Sequence, residues 1–332
     1  MRFVICCSVC IALVAPATPG NAEHHRNLLS SWNDSDSRQA LINFVERVTD
    51  EEATDYLAPE KRIAVFDNDG TLWAEQPAYF QLLFALDRAR DMIKREPSLA
   101  EQSPFREVAS GDMQSVIADG EKTLLPLVMK THAGMSEAQF AHEVADWMST
   151  ARHPRTQRPY TEMVYQPMLE LLDYLRDNDF SVWIVSGGGV SFMRVWAQEI
   201  YGVPPHQVIG SRMGLSYEGG GIQRTATYTH VNDKAGKPVG IQQQIGRRPI
   251  LAGGNSDGDF AMLEWTTSGP GPSLGLLIHH TDEIREWAYD RESHIGKLDQ
   301  GLNEAPQRGW VVIDMQNDWA NVFPTAAADP SQ

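Results

Sequence analysis

Residues 63–71 read Ile63-Ala64-Val65-Phe66-Asp67-Asn68-Asp69-Gly70-Thr71, four apolar residues running straight into an acidic turn. The apolar part is brief, partly β-branched and not interrupted by polar residues. A strand covered on both faces in a parallel sheet has this appearance. The turn then falls at the carboxyl end of that strand, where open α/β sheets bind their ligands.

Similar runs recur along the chain: Val182–Val185, Gln207–Ile209, Ile250–Ala252, Leu274–Ile278 and Trp310–Ile313. Amphipathic helical patterns separate them. Val190, Met193, Ala197 and Ile200 share one helical face, and Leu41, Phe44, Val45 and Val48 predict an earlier helix capped by Asp36 or Ser37. Repeated strand–helix units predict an α/β fold with a doubly wound, mainly parallel sheet. The interval from Thr71 to Ser186 is far longer than the ~30 residues of a βαβ unit. It reads as four helices, over Gln76–Arg95, Met113–Lys130, Ser136–Thr150 and Tyr160–Asn178. The expected organisation is therefore a core from residues 23–76 and 161–332, with an inserted α-helical cap over 77–160.

Polar clusters stand at the predicted strand ends. Asp67–Thr71 is the first, and Ser186-Gly187-Gly188-Gly189 is the second. Lys237, before Pro238, is the third, and Gly253–Asp259 is the fourth. Together, and in this order, they resemble the motifs of the haloacid dehalogenase superfamily of hydrolases. Asp67–Thr71 is similar to its DxDGT signature, Ser186 to its second motif and Gly253–Asp259 to its GDxxxD motif. The insertion resembles the helical cap of phosphoserine-phosphatase-like members. The resemblance covers most of residues 61–315 and implies a Mg²⁺-dependent phosphatase working through an aspartyl phosphate.

The residue chemistry agrees with that implication. A carboxylate attacking phosphorus makes an acyl phosphate that water can cleave, so one hard step becomes two easier ones. Asp67 is the candidate nucleophile, and Asp69 the candidate acid and base. Two anions repel, so a hard cation with oxygen ligands is needed between Asp67 and the phosphate. Asp67, Asp69, Asn255 and Asp259 are the expected ligands. The Ser186 hydroxyl, the Gly187 amide and the Lys237 ammonium are the expected partners of the phosphoryl oxygens. Lys234, three residues earlier, competes with Lys237 for that role. Asn255 stands where the superfamily has its first acid, so one ligand there carries no charge; Asp257 is available to compensate.

Other features weigh less. Glu75 and Gln76 are expected at the mouth of the site. Lys130, His132, Arg152, His153, Arg155 and Arg158 form a basic cluster, of which one or two members could contact a substrate anion, though each by itself is expected to be solvated. His279 and His280 resemble a metal pair, but neighbours on a strand point to opposite faces, which favours a structural role.

The chain has 332 residues and a formal net charge of −16. That charge disfavours nucleic acid and anionic lipid as partners, and an anionic substrate needs a local cationic pocket; a small phosphate ester is the ligand that the resemblance implies. Arg2 followed by the apolar run Phe3–Ala15 reads as a secretory signal ending at Ala22. The run is shorter than the ~20 residues that span a bilayer. All three cysteines, Cys6, Cys7 and Cys10, lie within it, so the exported chain is expected to be free of thiols. Two other functions fit parts of the pattern: a phosphate-ligand binding protein without turnover, favoured by Asn255, and a C–halogen hydrolase, disfavoured by Asp69. A phosphomutase makes less sense for an exported protein.

Overall fold

The computed structural model describes residues 29–111 and 121–324. The apolar N-terminal run, its cysteines and the expected cleavage site lie outside them, as does the start of the helix expected from Met113.

Eight strands form the sheet: β1 (Ile63–Phe66), β2 (Ser181–Gly189), β3 (Val208–Glu218), β4 (Gly221–His230), β5 (Leu251–Gly254), β6 (Leu274–Thr281), β7 (Ala288–Tyr289) and β8 (Val311–Asp314). Their order is β4-β3-β2-β1-β5-β6, with β8 parallel to β6 and the short β7 antiparallel to its end. β1 sits in the middle, parallel to both β2 and β5, and Phe66 is level with Ile184 on one side and Gly253 on the other. That register brings the ends of three strands together.

β1 shows why the run at 63–66 is uninterrupted. Ala64 and Phe66 pack into one apolar layer, with Leu41, Val45 and Ile184. Ile63 and Val65 pack into the other, with Val185, Ile209 and Met262. Both faces of the strand are therefore covered, and polar residues have no place in it.

The helices are α1 (Asp36–Thr49), α2 (Phe80–Arg95), α3 (Phe105–Ser110), α4 (Glu121–His132), α5 (Glu137–Thr150), α6 (Gln166–Asp177), α7 (Val190–Met193), α8 (Ala197–Tyr201), α9 (Gly236–Gln244), α10 (Phe260–Thr267), α11 (Gln300–Arg308) and α12 (Met315–Asp318). Several expected boundaries shift. The cap of α1 is Ser35, whose hydroxyl accepts from the Arg38 amide, and neither Asp36 nor Ser37. The helix expected over Tyr160–Asn178 is a 3-10 turn, Tyr160–Glu162, followed by α6. Between them Val164 bridges to Trp73, and Pro167 opens α6 in the first turn, where its missing amide costs nothing. α2 starts at Phe80, since Pro77 turns Gln76 away from helical dihedrals. The face at 190–200 is split between α7 and α8.

β4 is an element that the sequence pattern did not disclose, as are the short α3 and β7. β4 folds back on β3 through Gly219-Gly220, both with positive φ (59° and 85°). The hairpin reaches the helices of the insertion. There Arg224, 5 % exposed, donates from Nε to the His132 carbonyl and from Nη1 to Glu137, both at 2.6 Å. Its guanidinium lies 3.9 Å from the centre of the Phe140 ring. α2, α3 and α4 bury an apolar cluster of their own, including Leu82, Leu86, Phe105 and Leu127. The helical insertion is thus packed internally and tied to the sheet by the Gln81–Gly189 bond, by backbone bonds of Arg224 to Gly134 and Met135, and by the Arg224 side chain. Replacing that residue, Arg224→Ala, is expected to cost about 2–4 kcal/mol in chemical denaturation. Arg224→Lys should recover only part, because an ammonium cannot keep both bonds and the ring contact. Wild-type stability in the alanine variant would refute the tie.

Candidate active site

The three central strands deliver Asp67, Ser186 and Asn255 to one place. The Asp67 amide donates to Gly253 O at 2.9 Å, so the nucleophile candidate leaves β1 still held by β5. The acidic turn then closes on itself: the Thr71 and Leu72 amides donate to Asn68 O, and the Gly70 amide donates to Trp73 O. Gly70 has φ +73°, and a Cβ there would stand 2.1 Å from Asn255 Nδ2. Neither condition suits another residue.

Lys237, in the first turn of α9, is 2 % exposed. Its Nζ donates to Asp67 Oδ1 at 2.6 Å and to Asp259 Oδ1 at 2.5 Å. Of the two lysines considered, it is Lys237 that joins the carboxylates, while Lys234 lies at the cavity wall. Asp259 is fully committed. Besides Lys237, it accepts from the Asn255 and Ser256 amides and the Ser256 hydroxyl through Oδ2.

Asn255 is committed as well. Its Oδ1 accepts from the Thr71 hydroxyl at 3.1 Å, and its Nδ2 donates to Glu75 Oε1 at 2.7 Å. Asp257 does not stand in for a missing acid. Its carboxylate accepts from the Asp299 and Gly301 amides at the start of α11. Asp69 accepts from Trp73 Nε1 at 2.8 Å through Oδ1. The Ser186 hydroxyl accepts from the Gly188 amide, and the Gly189 amide donates to Gln81 of α2.

Asp67, Asp69, Ser186, Gly187 and Lys237 all line one cavity of about 460 Å³. Glu75 lines it too, but as a floor residue, 2 % exposed, and not at the mouth. Tyr289 donates its hydroxyl to the same Glu75 oxygen at 2.7 Å. A Cβ at Gly296 would come within 1.9 Å of that oxygen. Gln76 instead donates to the Ile295 carbonyl. None of the basic cluster reaches the cavity. His132 and His153 are buried among aromatic rings, and Arg155 lies over Trp287. His280 is structural: its ring bonds the Gly70 carbonyl at 2.8 Å and Glu286 at 3.2 Å, pinning the acidic turn from behind.

Burial and crowding shape the charges. Burial, then the neighbouring Asp259 and Asp69, push the Asp67 carboxyl up to about 8, against the pull of Lys237, which Asp259 shares. Burial raises Asp69 to about 6, with the Trp73 bond holding it down. Burial also raises Glu75 well above the usual carboxylate range. Lys237 moves upward, because its two carboxylate partners outweigh its own burial. One ammonium thus serves several carboxyls, and the donors are all oxygen. A hard divalent cation fits that chemistry. Asp67 and Asp69 line the cavity, and Asn255 and Asp259 are buried beside them, each of the four with the partners just described.

The pH dependence of stability follows from these shifts. Carboxyls whose folded values are raised bind more protons when folded than when unfolded, so stability falls as pH rises between their unfolded and folded values. The metal-free protein is expected to lose melting temperature from about pH 4 to pH 8. Asp67→Asn should flatten that slope, and an unchanged slope would refute the assignment.

A family model described as haloacid dehalogenase-like hydrolase matches residues 64–264. Among solved structures, a conserved protein of unknown function from Anaerococcus prevotii DSM 20548 is 15 % identical over 86 % of this chain and 94 % of that one, with a TM-score of 0.54. A protein of unknown function from Bordetella pertussis Tohama I is 17 % identical over 77 % of this chain and 99 % of that one, at 0.49. A probable phosphoserine phosphatase from Vibrio cholerae is 15 % identical over 77 % and 67 %, at 0.38. A search of curated proteins found no match. At these identities the structural likeness speaks for the fold alone, and it is the family match, spanning more than half of the sequence, that shows this chain belongs to the haloacid dehalogenase-like hydrolases.

Proposed function

We propose that this chain is a Mg²⁺-dependent phosphomonoester hydrolase acting on small organic phosphate esters, with residues 77–160 as a cap over the α/β core of 23–76 and 161–332. One observation carries the reading: two carboxyls from a single turn, Asp67 and Asp69, face the same cavity as Ser186 and a buried lysine.

In this mechanism an Asp67 oxygen attacks phosphorus, and the bond to the ester oxygen breaks. Asp69 gives its proton to the departing alkoxide. Water then attacks the phosphoryl group on Asp67, Asp69 takes the water's proton, and inorganic phosphate leaves. A group raised to about 6 is suited to both transfers near neutral pH. The buried Lys237 holds Asp67 in place and offsets charge on the phosphoryl oxygens, and Ser186 and the Gly187 amide orient them. A bound Mg²⁺, held by the Asp67 carboxylate, the Asp69 backbone carbonyl, Asn255 and Asp259, would supply the charge that lets a carboxylate approach a phosphate dianion.

Asp67→Asn is expected to abolish turnover of a phosphate ester panel and to block protein labelling by a radioactive phosphoryl donor. Asp69→Asn should slow turnover by about 10²-fold or more. Full activity in Asp67→Asn, or undiminished activity in excess EDTA, would overturn the nucleophile or the metal respectively. The reading further takes the protein as exported, on the apolar run Phe3–Ala15. N-terminal sequencing of the protein from its native host should then begin at Glu23, and an intact Met1 would contradict it.

A further inference from the structure

The cavity is larger than a phosphoryl group requires. At about 460 Å³ it falls among pockets that hold whole organic ligands, about 300–1,000 Å³. Its floor is polar. The wall facing that floor is apolar, built from Leu82 of α2, Val128 of α4, Tyr228 of β4 and the nearby Val231 and Ile295. Leu82, Val128 and Ile295 are 4 %, 7 % and 5 % exposed and belong to the separate apolar cluster of the helical insertion. The wall is therefore preformed by packing.

Several polar groups of the lining are engaged elsewhere, while Asp233, Lys234, His294 and Lys297 also line the cavity but belong to none of the helices that build this wall. Glu75 is held by Asn255 and Tyr289, and Asp257 by the start of α11. Gln81 is held by Gly189 and His132. A leaving group with an ammonium or several hydroxyls would trade water for hydrocarbon along this wall and lose hydrogen bonds. A ring or branched hydrocarbon would lose nothing and gain burial.

We propose that the leaving-group side of the cavity is a subsite for an apolar alcohol, one with an aromatic ring or branched hydrocarbon close to the ester oxygen. The proposal rests on the phosphatase reading and adds the substrate class to it.

The test compares 2-phenylethyl phosphate with ethyl phosphate, glycerol phosphate and phosphoserine. All are alkyl esters, so differences report binding of the alcohol and not the ease of its departure. Wild-type kcat/KM should favour 2-phenylethyl phosphate over glycerol phosphate and phosphoserine by about 10-fold or more. Val128→Thr, nearly equal in volume, should narrow the ratio of 2-phenylethyl to ethyl phosphate by about fivefold or more, from the added hydroxyl. Parity between the esters, with Asp67-dependent hydrolysis intact, would overturn the subsite and leave the phosphatase reading standing. Binding of 2-phenylethylphosphonate and 2-hydroxyethylphosphonate, measured by calorimetry, decides the matter without turnover. At least tenfold tighter binding of the phenyl compound supports the subsite even if no ester is hydrolysed, in which case only the phosphatase reading fails. Equal binding, or no binding of either, overturns the subsite.

Discussion

A single ammonium, that of Lys237, lies between Asp67 and Asp259 and within hydrogen-bond distance of both. Its charge opposes the rise that burial and the neighbouring carboxyls impose on Asp67. Much of the surrounding structure serves to keep it there. A Cβ on Gly236 would stand 2.1 Å from the Val231 carbonyl oxygen, so glycine there lets the first turn of α9 pack against β2 and β3. Asp259 is in turn held by three donors from its own loop. The Asp67 carboxyl is thereby positioned through a lysine, with Asp259 as its anchor.

The surroundings of this charge cluster are unusually layered. Behind the acidic turn, His280 and Glu286 secure the Gly70 carbonyl, and Tyr165 donates to Glu286. Beneath it, Glu75, Asn255, Thr71 and Tyr289 form a chain of hydrogen bonds. Fully satisfied buried networks of this kind specify one arrangement and resist partial loss. The amide at position 255 suits this chain, since its Nδ2 gives Glu75 a donor that an ionised carboxylate would lack.

How much of this could be read beforehand differs by element. β1 was legible because residues 63–66 are apolar without a break and end in a turn rich in Asp and Gly. The site residues were legible because they fall at strand ends, a consequence of the parallel sheet. β4 was not: residues 221–230 carry an arginine, threonines and a histidine, and the pattern that would have marked it lies in the Gly219-Gly220 turn. Glu75 was assigned to the mouth because its distance from Asp67 is short in sequence. Its burial depends on Tyr289 and Gly296, more than 200 positions away, which no local pattern contains. The break before α6 was likewise hidden, since Val164 pairs with Trp73 only in the folded chain.

Gly296 has a wider meaning for how such a protein can diversify. Its neighbours Ile295 and Lys297 line the cavity, so the segment is a natural place to vary ligand preference. Yet its backbone rests against the Glu75 carboxyl with no space for a single extra carbon. Grafting a foreign segment there would disturb the charged floor as well as the wall. New preferences are therefore more accessible from α2 and α4, whose side chains reach the cavity from a packing unit of their own.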